Sequence, residues 1–156
     1  MILGQLRTEN KSNEISAIPE LLKQLTLPVG CVVTIDAAGT QKENADLLRE
    51  MWVDYALALK SNHFNLRDEW RTTSFKLRKQ DKSMAPLDEC MSEERGHGRS
   101  EYRRVSATDD LAWLEQKSEW RDMRSIVRLE TMRRIGGRYE QETRYYITSL
   151  PQTLRS

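Results

Sequence analysis

The sequence predicts an α/β chain, α+β overall, with a strand-helix-strand-helix-strand run over residues 1–60 and a β-rich region after it. Three observations carry this. The β-branched apolar run Cys31-Val32-Val33-Thr34-Ile35 stops on Asp36, and small residues and Gly39 follow. Such a run reads as a buried strand. Apolar runs and helical spacing alternate on both sides of it, the pattern of a parallel sheet with right-handed crossovers. Beyond residue 96 the spacing shifts toward two, and Ile135-Gly136-Gly137-Arg138 reads as a hairpin turn.

Taken in order, Met1 to Leu6 is apolar and reads as a strand, and Arg7 to Lys11 as a polar turn. Asn13 suits a helix N-cap, with Glu14 in the first turn. Ile15, Ile18, Leu22 and Leu25 then recur on one helical face, and Leu27-Pro28-Val29-Gly30 closes the helix. After the strand ending on Asp36, a helix from about Gln41 to Met51 places Ala45, Leu48 and Trp52 on one side. Asp54 to Lys60 is a third apolar run ending on a charge. Asn65 to Leu77 reads as a helix, with Leu66 and Trp70 facing in, and Arg78 to Glu94 as a polar loop. Tyr102 to Thr108, Ser125 to Met132 and Thr143 to Ser149 read as strands, with a short helical or irregular segment over Asp110 to Trp120. The expected division is a core at 1–66, the helix and loop at 67–95, a β-rich subdomain at 96–150 and a tail at 151–156. Trp52, Trp70, Trp113 and Trp120 read as core residues.

At 156 residues the chain is long enough for one domain with a real core. With 31% charged residues and no long apolar run, it reads as soluble and cytoplasmic, with no signal peptide and no membrane partner. Cys31 and Cys90 lack metal-ligand spacing and fit a reducing compartment. Net charge is only +1, but residues 95–156 hold thirteen basic against nine acidic residues, and twelve of the thirteen are arginine. Arginine forks suit phosphate, although a solvated charged face is the ordinary reading. Asp36 has two local readings as well. It can cap the following helix, or it can stand where open α/β sheets hold their chemistry.

Five motifs in order resemble a known family. They are Lys11-Ser12-Asn13-Glu14-Ile15 leading to Ala17-Ile18-Pro19-Glu20-Leu21-Leu22; Thr34-Ile35-Asp36-Ala37 with Gly39 and Gln41-Lys42; and Asp54-Tyr55 with Ala58-Leu59-Lys60 and Asn62. Gly96-His97-Gly98-Arg99 with Glu101 and Arg103, and Thr143-Arg144-Tyr145-Tyr146-Ile147 with Ser149-Leu150, complete the set. To about Leu150 the chain resembles the H-repeat-associated insertion-sequence transposases of the DDE class.

That resemblance implies a partial ribonuclease H-like core and DNA transposition by divalent-metal phosphoryl transfer. Three carboxylates, Asp, Asp and Glu, hold two metal ions, Mg2+ or Mn2+, against the scissile phosphate. Asp36 matches the second aspartate, as catalytic residue and metal ligand, and the other two carboxylates do not map onto this sequence. Glu130 is a weak substitute for the glutamate. The chain is therefore expected to be a truncated, catalytically incompetent fragment that does not hold the metal tightly. Lys60, Asn62, His97, Arg99, Arg103 and Arg104 are candidate DNA contacts, with transposon-end DNA and a full-length transposase as implied partners. Arg133, Arg134 and Arg138 extend the candidate basic surface. Thr40, Met51-Trp52-Val53 and Ser61-Asn62-His63 depart from the family pattern.

The family's strand order is 3-2-1-4-5, with residues 1–6, 31–35 and 54–60 matching strands 3, 4 and 5. The chain is then expected to be marginally stable by itself, or to pair residues 1–6 directly with 31–35. Two other readings stand beside this one. The chain can be a DNA- or transposase-binding regulatory module without enzymatic activity. It can also be an unrelated α/β enzyme with Asp36 as phosphoacceptor, but Glu9 and Glu14 lack the strand-end geometry to assist it.

Overall fold

A computed structural model describes residues 12–60, 87–96, 99–135 and 137–152. The strand expected at residues 1–6, the helix at 65–77 and its Trp70 lie outside the described residues. Helix α1 (Ser12–Gln24) leads to strand β1 (Val32–Ile35), helix α2 (Lys42–Glu50) and strand β2 (Asp54–Leu59). Strands β3 (Asp88–Gly96), β4 (Arg99–Thr108), β5 (Ser125–Ile135) and β6 (Arg138–Thr148) follow, with a short 3-10 helix at Glu115–Glu119 between β4 and β5. The six strands form one mixed sheet in the order β1-β2-β6-β5-β4-β3. This α+β architecture is consistent with a partial ribonuclease H-like fold.

The β1-α2-β2 unit is the crossover that the sequence pattern predicts, with β1 and β2 parallel and Ile35 beside Leu57. Helix α2 puts Ala45 and Leu48 into the core, both with no exposed surface, as their helical spacing requires. Tyr55, Leu57 and Leu59 project from β2 onto the same face of the sheet and are buried. Trp120, Met123, Leu111 and Leu114 from the segment between β4 and β5 close over that core. Trp113 packs at its margin and donates its indole N–H to the Asp110 carbonyl at 2.7 Å. Cys31 is half-buried against the same cluster. In α1, Leu22 is buried, while Ile15, at the other end of the expected apolar stripe, is exposed.

The start of β2 is tied down by a polar network. The Ser149 hydroxyl donates to Asp54 at 2.8 Å and accepts the Tyr55 amide at 3.0 Å. Arg49 of α2 pairs with Asp54 at 2.6 Å and with Asp122 at 3.0 Å. The Tyr55 hydroxyl donates to the Arg121 carbonyl at 2.8 Å, and its burial pushes its pKa above the ordinary tyrosine value.

Two expectations change here. The polar loop expected through Glu94 is in part a strand. Residues 88–96 pair with β4 over nine positions, from Asp88 beside Ala107 to Gly96 beside Arg99. Composition hid it, because the strand is largely exposed and charged, as edge strands are. Its stabilisation comes from the neighbouring strand, through Arg104 to Glu89 at 2.9 Å and Arg103 to Glu94 at 3.4 Å.

The second correction is Trp52, which is 72% exposed rather than core. Helix α2 stops at Glu50, so the spacing from Leu48 does not reach it. Trp52 has a φ of +60° and sits just past the C-cap Met51. Its N–H donates to the Arg49 carbonyl at 3.2 Å, and the Val53 N–H donates to the Leu48 carbonyl at 3.0 Å. That is a Schellman motif, whose left-handed position favours glycine. Relief of strain at this position outweighs the unfolded-state entropy that glycine adds. We expect Trp52→Gly to raise the unfolding free energy by about 0.5–1 kcal/mol. Urea denaturation checks it, and a destabilised variant would contradict it.

The Gly-Gly hairpin is as expected. Ile135 pairs with Arg138, and Gly137 has a φ of +83°. Strand β6 pairs with β2 from Ala56–Thr148 to Leu59–Tyr145. The β-rich region therefore continues the sheet of β1 and β2. Residues 138–144 run on past the end of β2 by about 24 Å at the usual rise per residue.

Candidate functional site

The candidate site lies where β1 and β2 end. Strand β1 stops at Ile35, and Asp36 turns the chain toward α2. The carboxylate Oδ1 of Asp36 accepts the amides of Ala38 at 3.2 Å and Gly39 at 3.3 Å. The N-cap of α2 is Gln41, and its side chain makes no capping bond. Asp36 therefore shapes the turn and does not cap the helix, which removes the helix-cap reading. Its Oδ2 has no protein partner among the described residues, and the side chain is exposed.

The turn is held from beneath. Thr40, fully buried, donates its hydroxyl to the Ala58 carbonyl of β2 at 2.7 Å. Asn44, also fully buried, donates from Nδ2 to the Gly39 carbonyl at 2.8 Å. Gly39 is required by space. A Cβ there would lie 2.3 Å from Ile18 Cδ1 and 2.6 Å from Ile35 Cγ2. So α1, β1 and α2 jointly fix the position of the Asp36 carboxylate.

An open cleft of about 630 Å³ borders this turn. Its walls include Thr34, Asp36, Lys60, Glu142, Arg144 and Tyr146. Glu142 and Arg144 come from the part of β6 that runs past β2. Arg144 donates to both oxygens of Glu142, at 2.7 and 3.1 Å, and this holds the carboxyl below its ordinary range. Neither residue was singled out from the sequence as a site residue. Only the β2–β6 register brings them to Asp36.

Of the residues singled out in the sequence, Asp36 and Lys60 share the cleft, and no ion pair joins them. Asn62 and His97 lie outside the described residues, as does His63. Arg99 opens β4. Arg103 and Arg104 are neighbours on one strand and so point to opposite faces of the sheet. Arg103 pairs with Glu101 at 2.6 Å, and Arg133 pairs with the same carboxylate at 3.0 Å. Glu130 pairs with the buried Arg128 at 3.0 Å and does not line the cleft.

Arg104 belongs to a second network. The Arg128 guanidinium donates to Ser106 at 3.4 Å, the Ser106 hydroxyl donates to Glu89 at 3.0 Å, and Arg104 donates to Glu89 at 2.9 Å. The Arg104 hydrogen bond, against the effect of burial, keeps the Glu89 carboxyl below its ordinary range. A depressed carboxyl contributes stability above its unfolded pKa and loses it as pH falls through the folded value. Glu89→Gln is therefore expected to lower stability by about 0.5–1 kcal/mol at pH 7. That difference should fade once pH falls below the ordinary carboxylate value. Paired urea titrations at neutral and acidic pH test it; a pH-independent difference would assign the effect to packing.

Among the described residues no group of three or more His, Cys, Asp or Glu side chains is placed to hold a metal ion. No described helix is long and apolar enough to cross a membrane.

Comparison with known proteins decides the family. The profile of the transposase DDE domain matches residues 1–150. The chain belongs to the DDE transposase family. An uncharacterized protein from the dhlA 3′ region of Xanthobacter autotrophicus is 38% identical over 149 residues, covering 96% of this chain and 49% of that protein. The H repeat-associated putative transposase YhhI of Escherichia coli K12 is 31% identical over 160 residues, covering 98% of this chain and 41% of its own length. The putative protein YbfL of the same strain is 32% identical, with the same coverage. The chain thus spans less than half the length of these relatives. No solved structure matches it at a significant level.

Proposed function

We propose that this chain carries one part of a DNA transposase catalytic domain, and that it performs no DNA breakage or strand transfer by itself. The observation that carries the reading is Asp36. It is an exposed carboxylate at the C-terminal end of β1, held in a turn and open to a cleft lined by residues of β1, β2 and β6. It falls in the motif that matches the second aspartate of the family. With Oδ1 on two backbone amides and Oδ2 open, Asp36 suits one oxygen ligand of a divalent cation, Mg2+ or Mn2+. When bound, such ions polarise the phosphate under attack. One carboxylate does not make up a two-metal centre, and the described residues do not fit that centre by themselves.

Within this reading, residues 1–66 supply the partial core, and the inserted β-rich part begins with β3 at Asp88 and runs to about residue 150. Lys60, Asn62, His97, Arg99, Arg103 and Arg104 contact the DNA backbone. Binding to DNA is then independent of sequence and weakens steeply with salt.

The test is the purified chain with a DNA duplex. Salt-dependent binding is expected, with no nicking in Mg2+ or Mn2+. Activity should arise only when the rest of a relative's catalytic domain is supplied. Metal-dependent nicking by the chain alone would overturn the proposal, and nicking unchanged in Asp36→Asn would also remove Asp36 from the reaction. Binding to DNA or to a full-length transposase without such complementation would favour the regulatory module instead.

A further inference from the structure

The cleft beside Asp36 holds an ion pair that the family reading leaves unused. The last paired residues of β2 and β6 are Leu59 and Tyr145. One position further, the register brings Lys60 opposite Arg144, two cations across a strand pair. Like charges so placed repel. Glu142 is two residues from Arg144 on the same face of β6, and both line the cleft with Lys60 and Asp36. Its carboxylate takes two hydrogen bonds from Arg144, and it also feels the charges of Arg133 and, more weakly, Lys60. Glu142 is thus the chain's own anion on the Arg144 fork, in a cleft that Lys60 also lines.

We propose that Lys60 and Arg144 form a phosphodiester subsite beside Asp36, and that Glu142 is its built-in competitor, displaced when a DNA backbone phosphate enters. The two side chains of the Arg144–Glu142 pair are 56% and 47% exposed. Exposed pairs of this kind hold weakly, because water screens them on every side. A phosphate offers the same planar two-oxygen match to the guanidinium. The fork can therefore change partners with little loss. The opening of the cleft, the register and the bidentate contact all point to one anion with two donors, not to a neutral ligand. The inference rests on the DNA-binding reading above and adds to it the subsite and the competitor.

The experiment measures binding of a short fluorescent DNA duplex of mixed sequence to the whole chain, without divalent metal, across a salt series. Glu142→Gln should bind about two- to fivefold more tightly at low salt, the factor equivalent to releasing an exposed ion pair. Its salt dependence should steepen by about one unit of slope as Arg144 becomes free to neutralise a phosphate. Arg144→Gln should weaken binding, and in that background Glu142→Gln should have no effect. That double variant separates release of Arg144 from the general gain of removing a negative charge. Both positions are exposed, and thermal melts confirm that the variants fold. The inference is overturned if Glu142→Gln leaves affinity unchanged, or if its gain persists without Arg144. If the unaltered chain binds no duplex even at low salt, the DNA-binding reading falls with it.

Discussion

Asp36→Asn is expected to remove divalent-metal-dependent DNA breakage by about three orders of magnitude, in a protein that joins residues 1–150 to the remaining acidic ligands of the family. A carboxylate at this point offers a charged oxygen to a hard cation, and the amide of asparagine offers only a neutral one. Several kcal/mol of transition-state stabilisation go with the metal, and each 1.4 kcal/mol is about tenfold in rate. The fold should not follow the activity. Asparagine keeps the Oδ1 acceptor for the Ala38 and Gly39 amides, which lie at 3.2 and 3.3 Å in the native turn. The side chain is exposed, so unfolding free energy should change by less than about 0.5 kcal/mol. Nicking assays in Mg2+ and Mn2+ beside urea denaturation read both quantities. Activity that survives in Asp36→Asn removes Asp36 from the reaction. Activity lost together with stability makes its role structural.

Leu57→Ala should produce the largest loss of stability, about 2–5 kcal/mol. Leu57 has no exposed surface and sits in β2 between Ile35 of β1 and Ile147 of β6. It is where the parallel and antiparallel parts of the sheet meet. Truncation removes the transfer free energy of the side chain and leaves a cavity that the neighbouring strands cannot close. For a chain of this size the midpoint of melting should fall by about 4–20 °C. Circular dichroism and the fluorescence of a variant that keeps Trp120 as its single tryptophan should report one coincident transition, since Trp120 packs into the same core cluster as Leu57. A loss below about 1 kcal/mol, or separate transitions, would mean that the two parts of the sheet do not share one core.

The sequence by itself determined the elements whose spacing reports burial. The helix around Ala45 and Leu48 and the strand from Asp54 were legible because burial on one face leaves an apolar period, and the Gly136-Gly137 hairpin from its turn residues. Val32 to Ile35 was legible as a β-branched apolar run, although it is half-buried at most and not the buried strand that such a run suggests. Together with five short motifs, they also carried the family. Burial is a pairwise outcome, however, and period alone does not locate where an element stops. Trp52 continues the spacing of α2 and yet stands in solvent, because the helix ends two residues earlier in a Schellman turn. Strand β3 has almost no apolar signal and forms through its ladder with β4.

The candidate site divides in the same way. Asp36 was visible because an acid at the end of an apolar run is a local pattern. Whether it caps a helix or shapes a turn was not, since both uses draw on the same residue type. The structure decided that point: Oδ1 accepts the Ala38 and Gly39 amides, and Gln41 takes the N-cap. It alone brought Glu142 and Arg144 to within one cleft of a carboxylate about a hundred residues away in sequence. Strand register fixes such neighbours, and register is set by the whole sheet rather than by any segment of the chain.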